Sequence, residues 1–355
     1  MTHDIKHPEK ISILRLSAIG DVLMMLPAIR LLKKQFPHTQ IDWLVDRSIV
    51  SLLAELKDVN IIAIDKPKTW VDFWHFRQQW KQHNMGQLLS FQTSSLSNIL
   101  MLLVNAEHKT GFGAPYAREG HQYCCDTAYS LANNLHQVDI FFELAKKFSG
   151  LNEPIKITAA DLELPTSSAD NKWAAAQLQT HTRWIAINPM ASALDRTWPV
   201  ERYIEVINHL QQEYPDTGLV LTGGPSEKER QFASQIEQQT TANCLNLVAK
   251  TTLTQLAALF KQVNLLIAPD TGPIHLGAAQ GTICLGLYAA KRPEYTGPYQ
   301  QADHCINAYP EAAEKLMHKK AAQLAWQKNI PGATAVELIS VDQVMQKVKQ
   351  LYKHH

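Results

Sequence analysis

Short runs of aliphatic and β-branched residues alternate with longer stretches of helical period along the whole chain, the pattern of a parallel α/β sheet. In the first half, Ile11–Leu16, Ile41–Val45, Ile61–Ile64, Gln87–Phe91 and Thr110–Phe112 read as strands. Helical stretches run to about Gln35, over Ser95–Val104 and over Val138–Phe148, with a loop-rich stretch from Arg118 to Tyr123. The second half restarts the series. Trp184–Asn188, Leu219–Thr222, Leu265–Ala268 and Thr282–Leu287 read as strands, and Val200–Tyr214, Ser226–Gln239, Thr252–Phe260, Ile274–Gln280 and Val341–Lys353 as helices. Ser226 with Glu229 three residues on is a capping box. Pro154 and Pro165, with a Thr-Ser-Ser tract, mark Glu153–Ala169 as a linker. Two Rossmann-like domains facing one another are expected, with ligands gathering in the cleft between them at the carboxyl ends of the strands.

The 355 residues are long enough for two domains, and 45% hydrophobic against 19% charged residues excludes wholesale disorder. Lys+Arg 34 against Asp+Glu 33 leaves a formal charge of +1, too little for a dedicated nucleic-acid binder. Five cysteines without a C-x-x-C spacing point to reduced thiols rather than disulfides or structural zinc. The polar start of the chain lacks a signal-like apolar region, and the strongest apolar run, Ile99–Val104, is far too short for a membrane span. A cytoplasmic protein is expected.

Four segments carry candidate chemistry. Ser17-Ala-Ile-Gly20-Asp21 ends the first strand, where Asp21 is either a proton acceptor at the cleft or the cap of the next helix. Ser192 and Arg196 precede a helix; together they can grip a phosphate, or Arg196 pairs with Asp195 in an exposed loop. Asp270-Thr271-Gly272-Pro-Ile-His275 lies between a strand and a small-residue helix. Thr271 and Gly272 would offer backbone amides to an anion there, and Gly277-Ala-Ala would let the backbone approach a bound group. Asp270 also reads as a cap, and His275 as a core histidine. Thr222-Gly223-Gly224 suits a turn against a planar ligand, with Glu227 or Glu229 reaching ribose hydroxyls. Walker A, H-E-x-x-H, G-x-S-x-G, kinase and G-x-G-x-x-G signatures are absent, as is an Asp-x-Asp metal motif. The missing glycine fingerprint disfavours a nicotinamide dehydrogenase.

Taken in order, Ser17–Asp21 with Leu26-Pro27-Ala28, Arg118-Glu119, Asn188 to Trp198-Pro199, Thr222-Gly223-Gly224 and Asp270-Thr271-Gly272-x-x-His275 resemble the ADP-heptose:lipopolysaccharide heptosyltransferase family, glycosyltransferase family 9. The match spans most of the chain. It departs at Pro273-Ile274, where many members have Leu-Ser, and at Ala289-Ala-Lys291-Arg-Pro293, where a Gly-Pro-Thr type turn is usual.

The resemblance implies a glycosyltransferase-B fold: an acceptor-binding domain over 1–165, a nucleotide-sugar domain over 166–335, and a terminal helix within 336–355 returning toward the first domain. It implies Asp21 as the general base, with Ser17, Gly20 and Arg118 on the acceptor side. Ser192, Arg196, Thr271 and Gly272 would hold the donor pyrophosphate, with Asp270 and His275 near the sugar and Glu227 on the ribose. The reaction implied is inverting and metal-independent heptosyl transfer from ADP-heptose, with no cofactor, to an anionic glycolipid acceptor of the lipid A–Kdo type. Transient contact with the inner face of the inner membrane follows from such an acceptor. Nucleotide-sugar 2-epimerases share this architecture, and a non-catalytic nucleotide-binding relative is a further reading. Trp70, Phe73, Trp74, Phe76 and Trp80 recur at near-helical spacing among Lys66, Lys68, Arg77 and Lys81. They read first as a core-facing stripe and second as a face that touches lipid.

Overall fold

A computed structural model describes residues 8–191, 196–331 and 333–352. The chain divides into two units between Leu162 and Glu163, three residues before the expected boundary. Each unit is a six-stranded parallel sheet with helices on both faces, so the central strands are buried on both sides and read as nearly continuous apolar runs.

The first unit contains β1 (Lys10–Leu14), α1 (Ile19–Leu23), α2 (Leu26–Gln35), β2 (Gln40–Asp46), β3 (Asn60–Ile64), α3 (Trp70–Trp80), β4 (Gln87–Ser90), α4 (Ser95–Leu103), β5 (His108–Phe112), β6 (Thr127–Tyr129), α5 (Gln137–Phe148) and α6 (Ala159–Leu162). The strand order is β3-β2-β1-β4-β5-β6. The order reverses direction at β1, so β1 and β4 flank the switch point where open α/β sheets bind ligands. α2 packs against α5. On another part of the sheet, Phe76 and Trp80 of α3 and Leu100 and Met101 of α4 share one core cluster with Leu14, Leu44, Ile64 and Leu88. The helical stretch expected up to Gln35 is two helices, broken at Met24–Met25 ahead of Pro27 in the first turn of α2.

The second unit contains α7 (Ser168–Gln177), β7 (Arg183–Ile187), α8 (Val200–Glu213), β8 (Thr217–Leu221), α9 (Glu227–Gln239), β9 (Cys244–Asn246), α10 (Leu253–Phe260), β10 (Leu265–Pro269), α11 (Gly272–Ala279), β11 (Ile283–Tyr288), α12 (Pro293–Thr296), β12 (Ile306–Asn307), α13 (Tyr309–Met317) and α14 (Val341–Leu351). The order β12-β11-β10-β7-β8-β9 repeats the topology of the first sheet.

Val344, Met345 and Val348 of α14 bury their side chains in the second unit's core, and Tyr352 hydrogen-bonds Thr217 at 2.9 Å. The apolar stripe of α14 is thus buried beside α8.

Candidate active site

In both sheets the candidate side chains come from the residues that follow the strands. Just beyond β1, the carboxylate of Asp21, the third residue of α1, is ion-paired with the Arg15 guanidinium and accepts the Ala18 amide at 3.2 Å. Ala18 occupies the cap position, so Asp21 is not itself the N-cap. Arg15 is anchored in turn by donating to the Phe91 carbonyl at 2.7 Å and by lying over the Phe141 ring. Gly20 is buried in the first turn of α1. The Ser17 hydroxyl accepts from Lys66 at 2.9 Å, and Lys66 also pairs with Asp46 at 2.9 Å. Burial tends to raise the Asp46 carboxyl, but hydrogen bonds from Ser48 and Lys66 outweigh it and hold the group down to about 2. Lys66 therefore ties the ends of β1, β2 and β3 together, a role that no sequence pattern indicated.

Arg118 is exposed on the loop after β5. Glu119 docks that loop onto the start of α4 by accepting from the Ser95 amide and hydroxyl. Behind it, His121 is fully buried, its Nδ1 is 2.7 Å from the Asn98 side-chain oxygen, and burial lowers its pKa to about 4. This histidine is structural, supporting the loop from beneath.

The second unit centres on Asp270, 5% exposed at the end of β10. Its carboxylate lies 2.9 Å from Arg196 and 2.9 Å from Lys291. The Asp270 carbonyl also accepts from Arg196 at 3.1 Å. Burial alone raises this carboxyl, but the charges of Lys291, His275 and Arg196 outweigh it and hold the group below the ordinary carboxylate range. Arg196 is thus not an open fork: it is half-buried and bound to Asp270. Ser192 and Asp195 lie outside the described residues.

Thr271 is the cap of α11 and lacks a side-chain cap bond, Gly272 is its first residue, and Pro273 supplies no N–H. Asp270 is therefore not the cap. His275 is buried one turn into α11. Among the described residues, two cations against one buried carboxylate leave an excess of positive charge beside the amino end of an eight-residue helix. Both features favour a bound anion.

Lys291 is the residue that sequence reasoning missed. Its segment registered only as a departure from the family pattern. Yet β10 and β11 run parallel with Pro269 opposite Leu287, so the residues just after them are neighbours.

Other expectations shift. A Cβ on Gly277 would meet the Leu266 side chain at 2.6 Å, so this glycine packs α11 onto β10 rather than admitting a ligand. Glu229 accepts from the Gly224 amide at 2.7 Å and the Ser226 hydroxyl at 2.6 Å, bracing the Gly223-Gly224 turn from within. Glu227 is exposed, with Arg230 at 3.3 Å and Gln231 at 3.1 Å as partners. Of the aromatic stripe, Phe76 and Trp80 are buried, whereas Trp70 and Trp74 are exposed. The core-facing reading holds for one side of α3 only.

Residues 73–326 match glycosyltransferase family 9 (heptosyltransferase). The lipopolysaccharide core heptosyltransferase OpsX of Haemophilus influenzae is 30% identical over 346 residues, 97% of each chain. The crystal structure of a family 9 glycosyltransferase from Veillonella parvula is similar with a TM-score of 0.77 at 19% identity, covering 97% of each chain. Escherichia coli heptosyltransferase WaaC with ADP has a TM-score of 0.72 at 19% identity, covering 96% of this chain and 99% of that one. The fold is accordingly of the glycosyltransferase-B class. With the family match over most of its length, a near full-length relative at 30% identity and an anion-favouring loop cluster in place of a dinucleotide fingerprint, the chain belongs to glycosyltransferase family 9 and is a glycosyltransferase.

Proposed function

We propose that the protein transfers heptose from ADP-heptose to the inner core of lipopolysaccharide, on an acceptor of the lipid A–Kdo type. The observation that carries this reading is the Asp270 cluster, which sets Arg196 and Lys291 beside the start of α11. A nucleoside diphosphate leaving group develops negative charge as it departs, and preorganised donors lower that barrier most effectively. The names of OpsX and of the ADP-bound WaaC support the donor and the acceptor.

The step is a direct displacement with inversion. The acceptor oxygen attacks the anomeric carbon, and its proton passes to the Asp21 carboxylate. The bond from that carbon to the phosphate oxygen breaks, and ADP leaves with the electron pair. One carboxylate suffices because the diphosphate departs without a proton, unlike the alcohol released in glycoside hydrolysis. Arg15 orients the Asp21 carboxylate, and Arg118 supplies positive charge for an anionic acceptor. Arg196, Lys291 and the α11 terminus take the place of a divalent ion, so activity should persist in EDTA. Because the acceptor is a membrane glycolipid, the protein works at the membrane surface, on the cytoplasmic face of the inner membrane.

The test is incubation with ADP-heptose and a panel of truncated lipopolysaccharide acceptors, with mass spectrometry of the glycolipid. A mass increase of one heptose is expected, with ADP raising the melting temperature more than UDP, GDP or NAD. Release of free sugar or an epimer from donor alone would replace this reading with a 2-epimerase. ADP binding without transfer to any acceptor would make the protein a non-catalytic relative.

A further inference from the structure

α3 and α4 turn apolar side chains outward as well as inward. On α3, Trp70 is 88% exposed, Val71 61% and Trp74 58%; on α4, Leu102 is 60% exposed and Ile99 40%. Tyr123, 84% exposed, lies on the turn over 121–124 that packs against α4. Both helices make crossovers in one direction along the sheet, β3 to β4 and β4 to β5, and right-handed crossovers place them on the same sheet face. They touch one another and share one core cluster beneath, so their outer sides form one surface. Scattered exposed leucines need no explanation, but a contiguous patch with two tryptophans does.

The charge around this patch is lopsided. Lys66 is already paired with Asp46, but Lys68, Arg77 and Lys81 stand against Asp72 alone over 67–81, in a chain whose formal charge is only +1. Asp72 is moreover occupied with the Lys68 and Thr69 amides, at 2.9 and 2.8 Å. We infer that the outer face of α3 and α4 docks on an anionic lipid bilayer, lying in its interface. Tryptophan favours the boundary between headgroups and acyl chains, and cations are drawn to an anionic leaflet. Among the described residues no helix is long and apolar enough to cross a membrane, so the contact is interfacial. Pairing with a second copy through the same patch would set these cations against themselves. This inference deepens the proposed function: it rests on that reading for the membrane-borne acceptor, and names the surface that meets the membrane.

The test uses the whole protein with phosphatidylcholine vesicles, with and without phosphatidylglycerol, read by co-sedimentation and by quenching of tryptophan fluorescence with brominated acyl chains. Wild type is expected to bind the anionic vesicles and to be quenched. Trp70→Ser with Trp74→Ser should weaken binding about tenfold or more, with an unchanged melting temperature because both side chains are exposed. Arg77→Gln and Lys81→Gln should each cost roughly fivefold, an effect that added salt erases. Unaltered vesicle binding in these variants, or no binding by wild type, overturns the inference. So does a dimer at micromolar concentration that the double tryptophan variant dissolves. Transfer to a soluble, deacylated acceptor is measured in parallel. Transfer without vesicle binding removes the docking surface and leaves the proposed function, whereas vesicle binding without transfer to any acceptor does the reverse.

Discussion

The two sheets share one topology and differ in what their carboxyl edges do with charge. At the first edge, Asp21 has one cationic partner and its side chain is 31% exposed, so the carboxylate remains within reach of an incoming hydroxyl. At the second, the Asp270 side chain is 7% exposed and two cations converge on one of its oxygens. A carboxylate enclosed in that way cannot serve as a base. It fixes Arg196 and Lys291 in place, and their combined charge exceeds its own. On the proposed reading, one scaffold yields a proton acceptor on one sheet and an anion receptor on the other, and the deciding variables are burial and the number of cations supplied by the post-strand loops.

The sharpest way to break this comparison is Asp21→Ala. Turnover is expected to fall roughly 10²–10⁴-fold, the range for a lost general base, while calorimetry shows unchanged ADP binding. Near-normal turnover would remove Asp21 from the role. Asp270→Ala tests the opposite character of the second edge. Removing the anion leaves two neighbouring half-buried cations, and urea unfolding should show a loss of about 3 kcal/mol, the low end for breaking a buried pair because both cations are partly exposed. Adding Lys291→Ala to that variant should restore part of it, since one of the repelling charges is gone; no recovery would show that the two cations do not share the site. Arg196→Ala should cost about 1.5–3 kcal/mol of donor affinity, the worth of a hydrogen bond to a charged group. Equal nucleotide affinity in the two proteins would count against the anion receptor.

The smallest effect concerns acid. The Asp46 carboxyl is held at about 2 in the folded protein against an ordinary 3.8. Its contribution to stability is therefore full above about pH 4 and is lost as pH falls through about 2. The Asp46–Lys66 pair is partly exposed, so this is expected to be no more than about 1 kcal/mol. Asp46→Asn should flatten the acid limb of the stability curve by that amount while leaving the Asp270 contribution, also lost in acid, in place.

The central strands were legible because burial on both faces makes them uninterrupted apolar words, as in Ile185 to Ile187 or Leu265 to Ala268. The edge strands β6, β9 and β12, only three, three and two residues long, were not. They are too short to show any period. α7 was hidden by the Ser-rich linker that contains its cap, Ser167. Asp21, Arg196 and Asp270 stood out as residue types after strands, but their partners did not. Arg15 reaches Asp21 across six positions, whereas Arg196 reaches Asp270 across seventy-four. The second distance is bridged only by strand register.

From its order of apolar runs and its loop motifs, the chain by itself determined two parallel α/β domains, its family and the candidate positions for its chemistry. Those features are local, set by side-chain period and by backbone turns within a few residues. The tertiary structure alone decided which carboxylate is open and which is enclosed, that Lys291 joins Arg196, that Gly277 serves packing, and that Trp70 and Trp74 face outward while Phe76 and Trp80 face in. Each of these depends on how much water reaches a group and on which distant residues stand beside it, and neither is encoded in sequence spacing.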